Sequence, residues 1–333
     1  MRTLGRLFFL LLAMAIAASA VVWQRYSAFT QASALPQPIN QLFVPQGQGF
    51  AKTVDSLMAN GARGERWQWL VLARLQPRLG LVQAGEYEIP ANATPAEVLD
   101  QLARGRVKRY AFTIIEGATV NELRRSLAND VRLAQTLTGL GEAEIAKRLE
   151  NPEPSLEGWF LPETYLFVRG DSDFSVLKRA NLAMRDTLAQ VWLERSEASP
   201  LRDQTELLTL ASIVEKETGH GPERDEIAGV FTRRLKLGMK LQTDPTVIYG
   251  LGSKFDGNLR RIDLQTPTPY NSYTQTGLPP TPIALPGLAS LRASIAPAGG
   301  SALYFVARGD GTSEFSSTLD AHNQAVRRFQ LKR

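Results

Sequence analysis

The stretch LLTLASIVEKETG, at residues 207–219, carries the strongest structural and chemical signal in the chain. Its apolar residues recur at the spacing of a helix that packs one face against a core. That face is formed by Leu207, Leu210, Ala211 and Val214. Two carboxyl groups, of Glu215 and Glu217, flank the apolar face in the last turn, on opposite sides. A carboxyl group that loses hydration at such an edge favours its neutral form and becomes a proton donor near neutral pH.

The pattern therefore indicates an enzyme site at the end of this helix. Helical periodicity nominates both glutamates and does not choose between them. The alternative interpretation is a pair of exposed surface carboxylates, with Lys216 as a solvated neighbour.

Composition narrows the class of protein. The chain has 333 residues, enough for two or three domains that each bury a core. Its net charge of +5 is mild, and no dense basic run with interleaved aromatic residues occurs, so we expect no nucleic-acid partner. The absence of cysteine excludes disulfides and thiolate metal sites. His220 and His322, the two histidines, are far apart in sequence, so we expect neither a metal nor another cofactor.

The N-terminal sequence LFFLLLAMAIAASAVVW, at residues 7–23, contains no charged side chain. It is just long enough to cross a bilayer, and Trp23 and Tyr26 suit the interface, so we predict a transmembrane signal-anchor. Two arginines in residues 1–6 predict a short cytoplasmic tip there. The alternative is a cleaved signal peptide, because Ala18-Ser19-Ala20 fits a small-x-small cleavage site. Both interpretations export the chain from about residue 25 onward.

Residues 24–40 are polar and contain prolines, which predicts a short linker. After it, a short β-like segment, a turn and an amphipathic helix recur three times. The three copies are FVPQGQGFAKTVDSLMANG at 43–61, YEIPANATPAEVLDQLARG at 87–105 and FTIIEGATVNELRRSLAND at 112–130. Thr94 and Thr119 each precede a glutamate by three residues, which is the spacing of a capping box. We expect such units to pack together as a small α+β module, and we place a LysM-like module, which binds glycan or serves as a spacer above the membrane, at residues 41–108.

The rest of the chain has mixed signals. Residues 131–206 are predicted to be mostly helical, with a loop, NPEPSLEGWFLPETY, at 151–165. An amphipathic helix is predicted at Arg224–Leu237, a strand at Ala302–Ala307 and a closing helix at 318–333. Between them, residues 241–300 are rich in Pro, Thr, Gly and Tyr, and such long irregular segments are often functional. The expected fold class is α+β.

Five strings in this region together resemble the endolytic murein transglycosylase family, also called YceG-like. They are ASIVEKETG, ERDEIAGVF, LQTDPTVIYG, TPYNSYTQTGLPPTPI and YFVARGDGTSEFSSTLDAHN. The resemblance covers about residues 155–330, with the anchor and the small module at the expected positions. Three departures affect substrate subsites: Arg233 and Leu285 stand where the family usually has Asn, and FLPETY replaces LFPDTY.

The resemblance implies that residues 109–333 form a mixed α/β catalytic transglycosylase domain, with an active-site helix and long polar loops. It also implies that Glu217, the second glutamate of EKET, is the catalytic residue. The expected reaction cleaves the β-1,4 bond between N-acetylmuramic acid and N-acetylglucosamine in nascent glycan strands and leaves 1,6-anhydro ends. One carboxyl serves as both acid and base.

Other polar residues are candidates for binding the glycan strand. They are Gln242, Asp244, Tyr249, Tyr270, Asn271 and Tyr273 on the polar loops, with Glu163 from the earlier loop. Asp244 could instead initiate a turn before Pro245, and Glu163 could tune Glu217. A further hypothesis is that the protein is a hydrolysing muramidase, with Asp244 as the second carboxylate.

The implied setting is the inner membrane. It is crossed once, with the N-terminus in the cytoplasm and the catalytic domain in the periplasm. Peptidoglycan strands are the expected substrate, and penicillin-binding proteins of the wall-synthesis machinery are expected partners. The alternative function is a non-catalytic cell-wall-binding scaffold for peptidoglycan synthases.

Overall fold

The computed structural model describes residues 2–217 and 221–331, and the chain divides into two compact units. The first unit comprises Met1–Tyr110 and Leu166–Arg169. The second comprises Ala111–Tyr165 and Gly170–Arg333. Helices and short two-stranded sheets occur together in the described residues, which confirms the predicted α+β class.

The first unit contains a long N-terminal helix, three shorter helices and an antiparallel strand pair. Its elements are α1 (Arg2–Gln31), β1 (Ile39–Val44), α2 (Phe50–Ala59), α3 (Arg66–Leu75), β2 (Gly85–Ile89) and α4 (Pro95–Ala103). In the strand pair, Leu42 lies opposite Tyr87 and Val44 opposite Gly85. Leu42, Tyr87 and Val44 belong to the buried core of the unit. Helix residues such as Leu57, Trp69, Leu99 and Leu102 complete that core.

Helix α1 has two different parts. The segment Gly5–Gln31 is long and apolar enough to cross a membrane, with a mean hydropathy of 2.2, and its most apolar window has no buried surface. Tyr26 and Phe29, one turn apart near its end, are instead buried in the core of the first unit. The ring of Phe29 meets the ring of Trp69 edge-on, with 5.2 Å between centroids.

Residues 24–40, which were predicted to form a polar linker, are therefore part of the folded first unit. The segment is helical as far as Gln31, Leu35 is fully buried, and strand β1 begins at Ile39. The backbone N–H of Ala34 donates to the carbonyl of Ala93 at 2.8 Å. Its polar composition concealed a few apolar side chains whose burial ties the segment to the first unit.

Strands β3 (Arg109–Thr113) and β4 (Thr164–Val168) pair with each other. The second unit then consists mainly of helices. Its elements are α5 (Val120–Ala128), α6 (Glu142–Leu149), α7 (Asp173–Leu193), α8 (Gln204–Glu217), α9 (Arg224–Lys236), α10 (Asp244–Leu251), α11 (Arg261–Gln265), α12 (Leu288–Ile295), β5 (Tyr304–Ala307), β6 (Ser313–Ser316) and α13 (Leu319–Phe329).

Local signals in the sequence were accurate where they were strong. The three β-turn-helix copies form β1–α2, β2–α4 and β3–α5, and both predicted capping boxes are present, at Thr94 and Thr119. The helix at 224–236 and the strand at 304–307 are confirmed. The predicted closing helix extends over 319–329, and residues 332–333 lie outside the described residues.

Two expectations were wrong in detail. Helix α8 does not bury a single face: every residue from Leu207 to Val214 is buried, because α7, α9, α10 and α12 all contact it. The segment 241–300 is not irregular throughout, since it contains α10, α11 and α12. Pro245 lies in the first turn of α10, where a missing N–H costs no hydrogen bond, so the proline that suggested a turn begins a helix.

Candidate active site

The last turn of α8 places Glu217 beside the N-terminus of α10. The hydroxyl of Thr243, the residue just before α10, donates a hydrogen bond to Oε1 of Glu217. The residue keeps some exposed surface, while loss of hydration raises the pKa of its carboxyl group. The hydrogen bond from Thr243 lowers that pKa, the charge of Asp244 raises it and the charge of Arg234 lowers it. Burial is the largest of these effects, so the neutral acid is favoured.

Glu215, the other glutamate of this turn, has a different environment. The backbone N–H of Gly287 donates to its Oε2 at 2.9 Å, and the guanidinium of Arg224 lies 3.5 Å from its Oε1. These two partners hold the Glu215 side chain inside the protein. The surroundings thus separate two glutamates that helical periodicity left equal, and favour Glu217 as the acid.

A small buried cluster of hydroxyl groups fixes Thr243. Its backbone N–H donates to Oγ of Ser272 at 3.0 Å, and Thr246 donates to its carbonyl at 2.8 Å. The hydroxyls of Thr246 and Ser272 lie 2.8 Å apart. These bonds hold the backbone of Thr243. Its hydroxyl makes no capping hydrogen bond to α10 and donates instead to Glu217.

Arg234, on α9, secures the segment that leads into Thr243. Its guanidinium donates to the carbonyls of Leu241 at 2.7 Å and Lys240 at 3.2 Å, and to that of Leu303 at 2.7 Å. The group also lies 5.0 Å from the centre of the Tyr304 ring, and burial lowers its pKa. Sequence reasoning missed this residue, although a signal existed: Arg234 falls at helical spacing from Ile227 and Phe231, both buried.

Three of the predicted binding residues lie next to Thr243. Gln242 is exposed, with a left-handed φ of 52°, and its Oε1 is 3.5 Å from the guanidinium of Arg234. Asp244 is exposed and accepts a hydrogen bond of 2.6 Å from the hydroxyl of Tyr273. Burial, reinforced by this bond to Asp244, raises the pKa of Tyr273. Gln242 and Asp244 thus expose polar groups on either side of Thr243.

Tyr249 and Tyr270 form a neighbouring pair. Their ring centroids are 5.0 Å apart, and the hydroxyl of Tyr270 lies 2.8 Å from that of Thr281. The hydroxyl of Tyr249 donates to Glu157 at 3.2 Å. Glu157 is a buried carboxyl group that sequence reasoning did not nominate. Burial raises its pKa to about 7, against hydrogen bonds from Val120 and Tyr249 that lower it.

Asn271 and Glu163, the remaining predicted binding residues, are not placed to contact a ligand beside Glu217. Asn271 is fully buried, and its amide donates to the carbonyls of Asp263, Leu264 and Thr266, at 3.0, 3.2 and 2.7 Å. It therefore closes the end of α11 rather than facing a ligand. Glu163 is exposed, and the contacts described for residues 2–217 and 221–331 include none between its carboxyl group and Glu217.

Within residues 2–217 and 221–331, no three His, Asp or Glu side chains cluster in a way that could coordinate a metal ion. The arrangement places a desolvated carboxyl group next to hydroxyl and aromatic side chains, and such a group can transfer a proton.

Fold and site together place a desolvated carboxyl group at the end of a buried helix. The chain belongs to the YceG-like family, whose model matches residues 42–328. The resemblance drawn from the sequence strings is thereby confirmed.

Named relatives and a solved structure agree with this assignment. The chain is 28% identical over 327 residues to an endolytic murein transglycosylase of Bacillus subtilis, which covers 91% of this chain and 90% of the relative. It is 28% identical over 279 residues to an endolytic murein transglycosylase of Streptococcus pneumoniae, which covers 74% of this chain and 50% of that longer protein. A crystal structure of a YceG-like protein from Listeria monocytogenes superposes with a TM-score of 0.53 at 25% identity, covering 86% of this chain and 98% of the other.

Proposed function

We propose that this protein is a membrane-anchored lytic transglycosylase of peptidoglycan, an enzyme of the lyase class that cuts within glycan strands. The observation that carries the proposal is the desolvated carboxyl group of Glu217 with the Thr243 hydroxyl on it. The similarity to relatives named endolytic murein transglycosylases supports the reaction class.

In the proposed reaction, neutral Glu217 donates its proton to the oxygen of the β-1,4 bond between N-acetylmuramic acid and N-acetylglucosamine. The C1–O bond breaks as positive charge develops at C1 of the muramic acid. The resulting Glu217 carboxylate then takes the proton of the C6 hydroxyl, whose oxygen bonds to C1. The products are a free 4-hydroxyl on one fragment and a 1,6-anhydro end on the other, with no water consumed.

This scheme needs only one carboxyl group, because the substrate supplies its own nucleophile. Ordinary glycosidases use a second carboxylate as nucleophile or base. Asp244 is the residue to weigh for that role, and it is engaged by the hydroxyl of Tyr273. We assign Gln242, Asp244 and Tyr273 to contacts with the sugar units beside the cleaved bond.

The setting forms part of the proposal. The apolar, unburied part of α1 suits a single membrane span with a cytoplasmic N-terminus. We place the second unit in the periplasm, acting on nascent strands at the inner membrane, with penicillin-binding proteins as partners. The part of the first unit within residues 41–108 is proposed to be LysM-like and to hold glycan.

Glycan fragments produced by the whole chain test the proposal. The full chain in detergent is the right material, because Tyr26 and Phe29 of α1 belong to the core of the first unit. After incubation with peptidoglycan, mass spectrometry should find internal fragments with anhydro ends. Glu217→Gln should abolish them. Glu215→Gln is the matched control in the same helical turn and should retain them.

The other outcomes are equally decisive. Products one water heavier, with reducing ends, would show hydrolysis and move attention to Asp244. Equal products from Glu217→Gln and the unmodified chain would refute the assignment of the acid. Binding of strands by the unmodified chain without any product would favour the scaffold function.

A further inference from the structure

Glu157 is a buried carboxyl group that the proposed reaction does not use. Its side chain is only 3% exposed. Its two oxygens lie 3.0 and 3.3 Å from the backbone nitrogen of Val120, in the first turn of α5. One of them also accepts the hydroxyl hydrogen of Tyr249 at 3.2 Å. A carboxyl group held among donors from two separate elements links those elements.

The segment around Glu157 is held by a hydrogen bond and by buried side chains. The backbone N–H of Leu156 donates to Glu142 at 2.6 Å, and Trp159 and Phe160 are buried on the other side. Gly158 adopts a left-handed φ of 86° in a space where a side chain would touch Pro282. Because its neighbours are fixed on both sides, Glu157 acts as an anchor and not as a mobile arm.

The link from Glu157 leads to the proposed active site through α10. This helix is short, from Asp244 to Leu251, so both of its ends must be held for it to keep its place. At its start, Thr243 donates to Glu217, and in its last turn Tyr249 donates to Glu157. The ring of Tyr249 packs on Tyr270 in the same region.

We propose that Glu157 is a positioning residue: through Tyr249 it fixes the far end of α10 and thereby keeps the Thr243 hydroxyl on Glu217. The inference rests on the proposed function and deepens it. It also changes the role of Tyr249, which was expected to bind substrate. The hydroxyl of Tyr249 is used inside the protein, and its loss affects the acid and not the affinity for the strand.

The test measures initial rates of anhydro-end formation by the full chain on un-crosslinked glycan strands, over a range of pH. Tyr249→Phe removes only the hydroxyl. We expect kcat to fall about tenfold, the effect of losing one hydrogen bond that aligns the acid, with KM within about twofold. The hydrogen bond from Thr243 lowers the pKa of Glu217, so a loosened α10 raises it. The alkaline limb of the rate profile therefore moves to higher pH, as it does in Thr243→Val.

Two conservative variants sharpen the result. Glu157→Gln retains an oxygen for Val120 and an N–H for the Tyr249 oxygen, so it should recover most of the activity that Glu157→Ala loses. Tyr165→Phe is the matched control in the same unit: its hydroxyl donates to the carbonyl of Leu161 at 2.8 Å, and its rate profile should be that of the unmodified chain.

Combining Tyr249→Phe with Thr243→Val should shift the alkaline limb no further than Thr243→Val alone, because both act on one hydrogen bond. A raised KM with unchanged kcat in Tyr249→Phe would overturn the inference and restore substrate binding. An unmoved alkaline limb would overturn it as well. Failure of Glu217→Gln to abolish product would instead refute the proposed function, whatever Tyr249→Phe does.

Discussion

Gly158 is a position in the second unit where an added methyl group should destabilise the fold. Its φ of 86° lies in the left-handed region, which costs alanine about 1–2 kcal/mol. A Cβ there would lie 2.7 Å from Cβ and Cγ of Pro282 and 3.1 Å from Cγ of Leu208. Proline is rigid and Leu208 is fully buried in α8, so neither neighbour yields easily.

The magnitude for Gly158→Ala follows from these contacts. Overpacking of this kind costs about 1–3 kcal/mol. Alanine also restricts the unfolded chain, which offsets up to about 1 kcal/mol. We therefore expect Gly158→Ala to lower the free energy of unfolding by about 1–4 kcal/mol.

Gly170→Ala is the matched control in the same unit. Gly170 has a φ of 93°, and nothing lies within 4 Å of the position its Cβ would take. Gly170→Ala should lower the free energy of unfolding by only about 1 kcal/mol, which is the cost of the left-handed backbone less the gain from restricting the unfolded chain. Urea unfolding of both variants, followed by tryptophan fluorescence, gives the two free energies and their difference. Equal losses would show that backbone movement removes the contact with Pro282, and would refute the reasoning.

Three further outcomes are expected. Burial raises the pKa of Glu157 to about 7, so the folded protein binds a proton that the unfolded chain releases at lower pH. The contribution of Glu157 to the free energy of unfolding is therefore greatest below pH about 4.5. It falls by up to about 3 kcal/mol as the pH rises to about 7. Glu157→Gln should remove that slope from urea unfolding measured across this range; an unchanged slope would contradict the burial argument. Phe29→Ala should cost the first unit about 3 kcal/mol in detergent, while Phe9→Ala, on the exposed part of α1, should leave thermal unfolding unchanged. Asn271→Ala loses bonds to three carbonyls and should lower the free energy of unfolding by about 2–4 kcal/mol while KM for glycan strands stays constant; a raised KM would return it to substrate binding.

The sequence allowed good prediction wherever structure is decided by nearby residues. The capping boxes of α4 and α5 depend on side chains three residues apart, and both are present. Helix α10 was missed because its stability comes from distant partners. Ser272 holds its first turn and Glu157 its last, from 29 and 92 residues away in sequence.

The same distinction explains what could be predicted about the site. Helical spacing brought Glu215 and Glu217 to notice, but it could not reveal their surroundings. Glu215 is held by Gly287, 72 residues further along the chain, and Glu217 by Thr243, 26 residues further. Arg234 left a readable signal as a charge on an apolar face. Glu157 left none, because its significance lies entirely in contacts with α5 and α10.

The surroundings of Glu217 suit a group that must give up a proton and then take one back. Burial favours the neutral acid before the first step, and the hydroxyl of Thr243 stabilises the carboxylate after it. An acid that serves in both directions works best with a pKa near the working pH, and burial moves the pKa of Glu217 upward from its usual range. Arg234 adds positive charge nearby, and among the described residues it forms no ion pair with Glu217; its Nε and Nη1 groups donate to the carbonyls of residues 240, 241 and 303. A direct ion pair with Glu217 would hold the carboxylate and remove the acid. The carbonyls that bind Arg234 thus keep the proposed single-carboxyl mechanism possible.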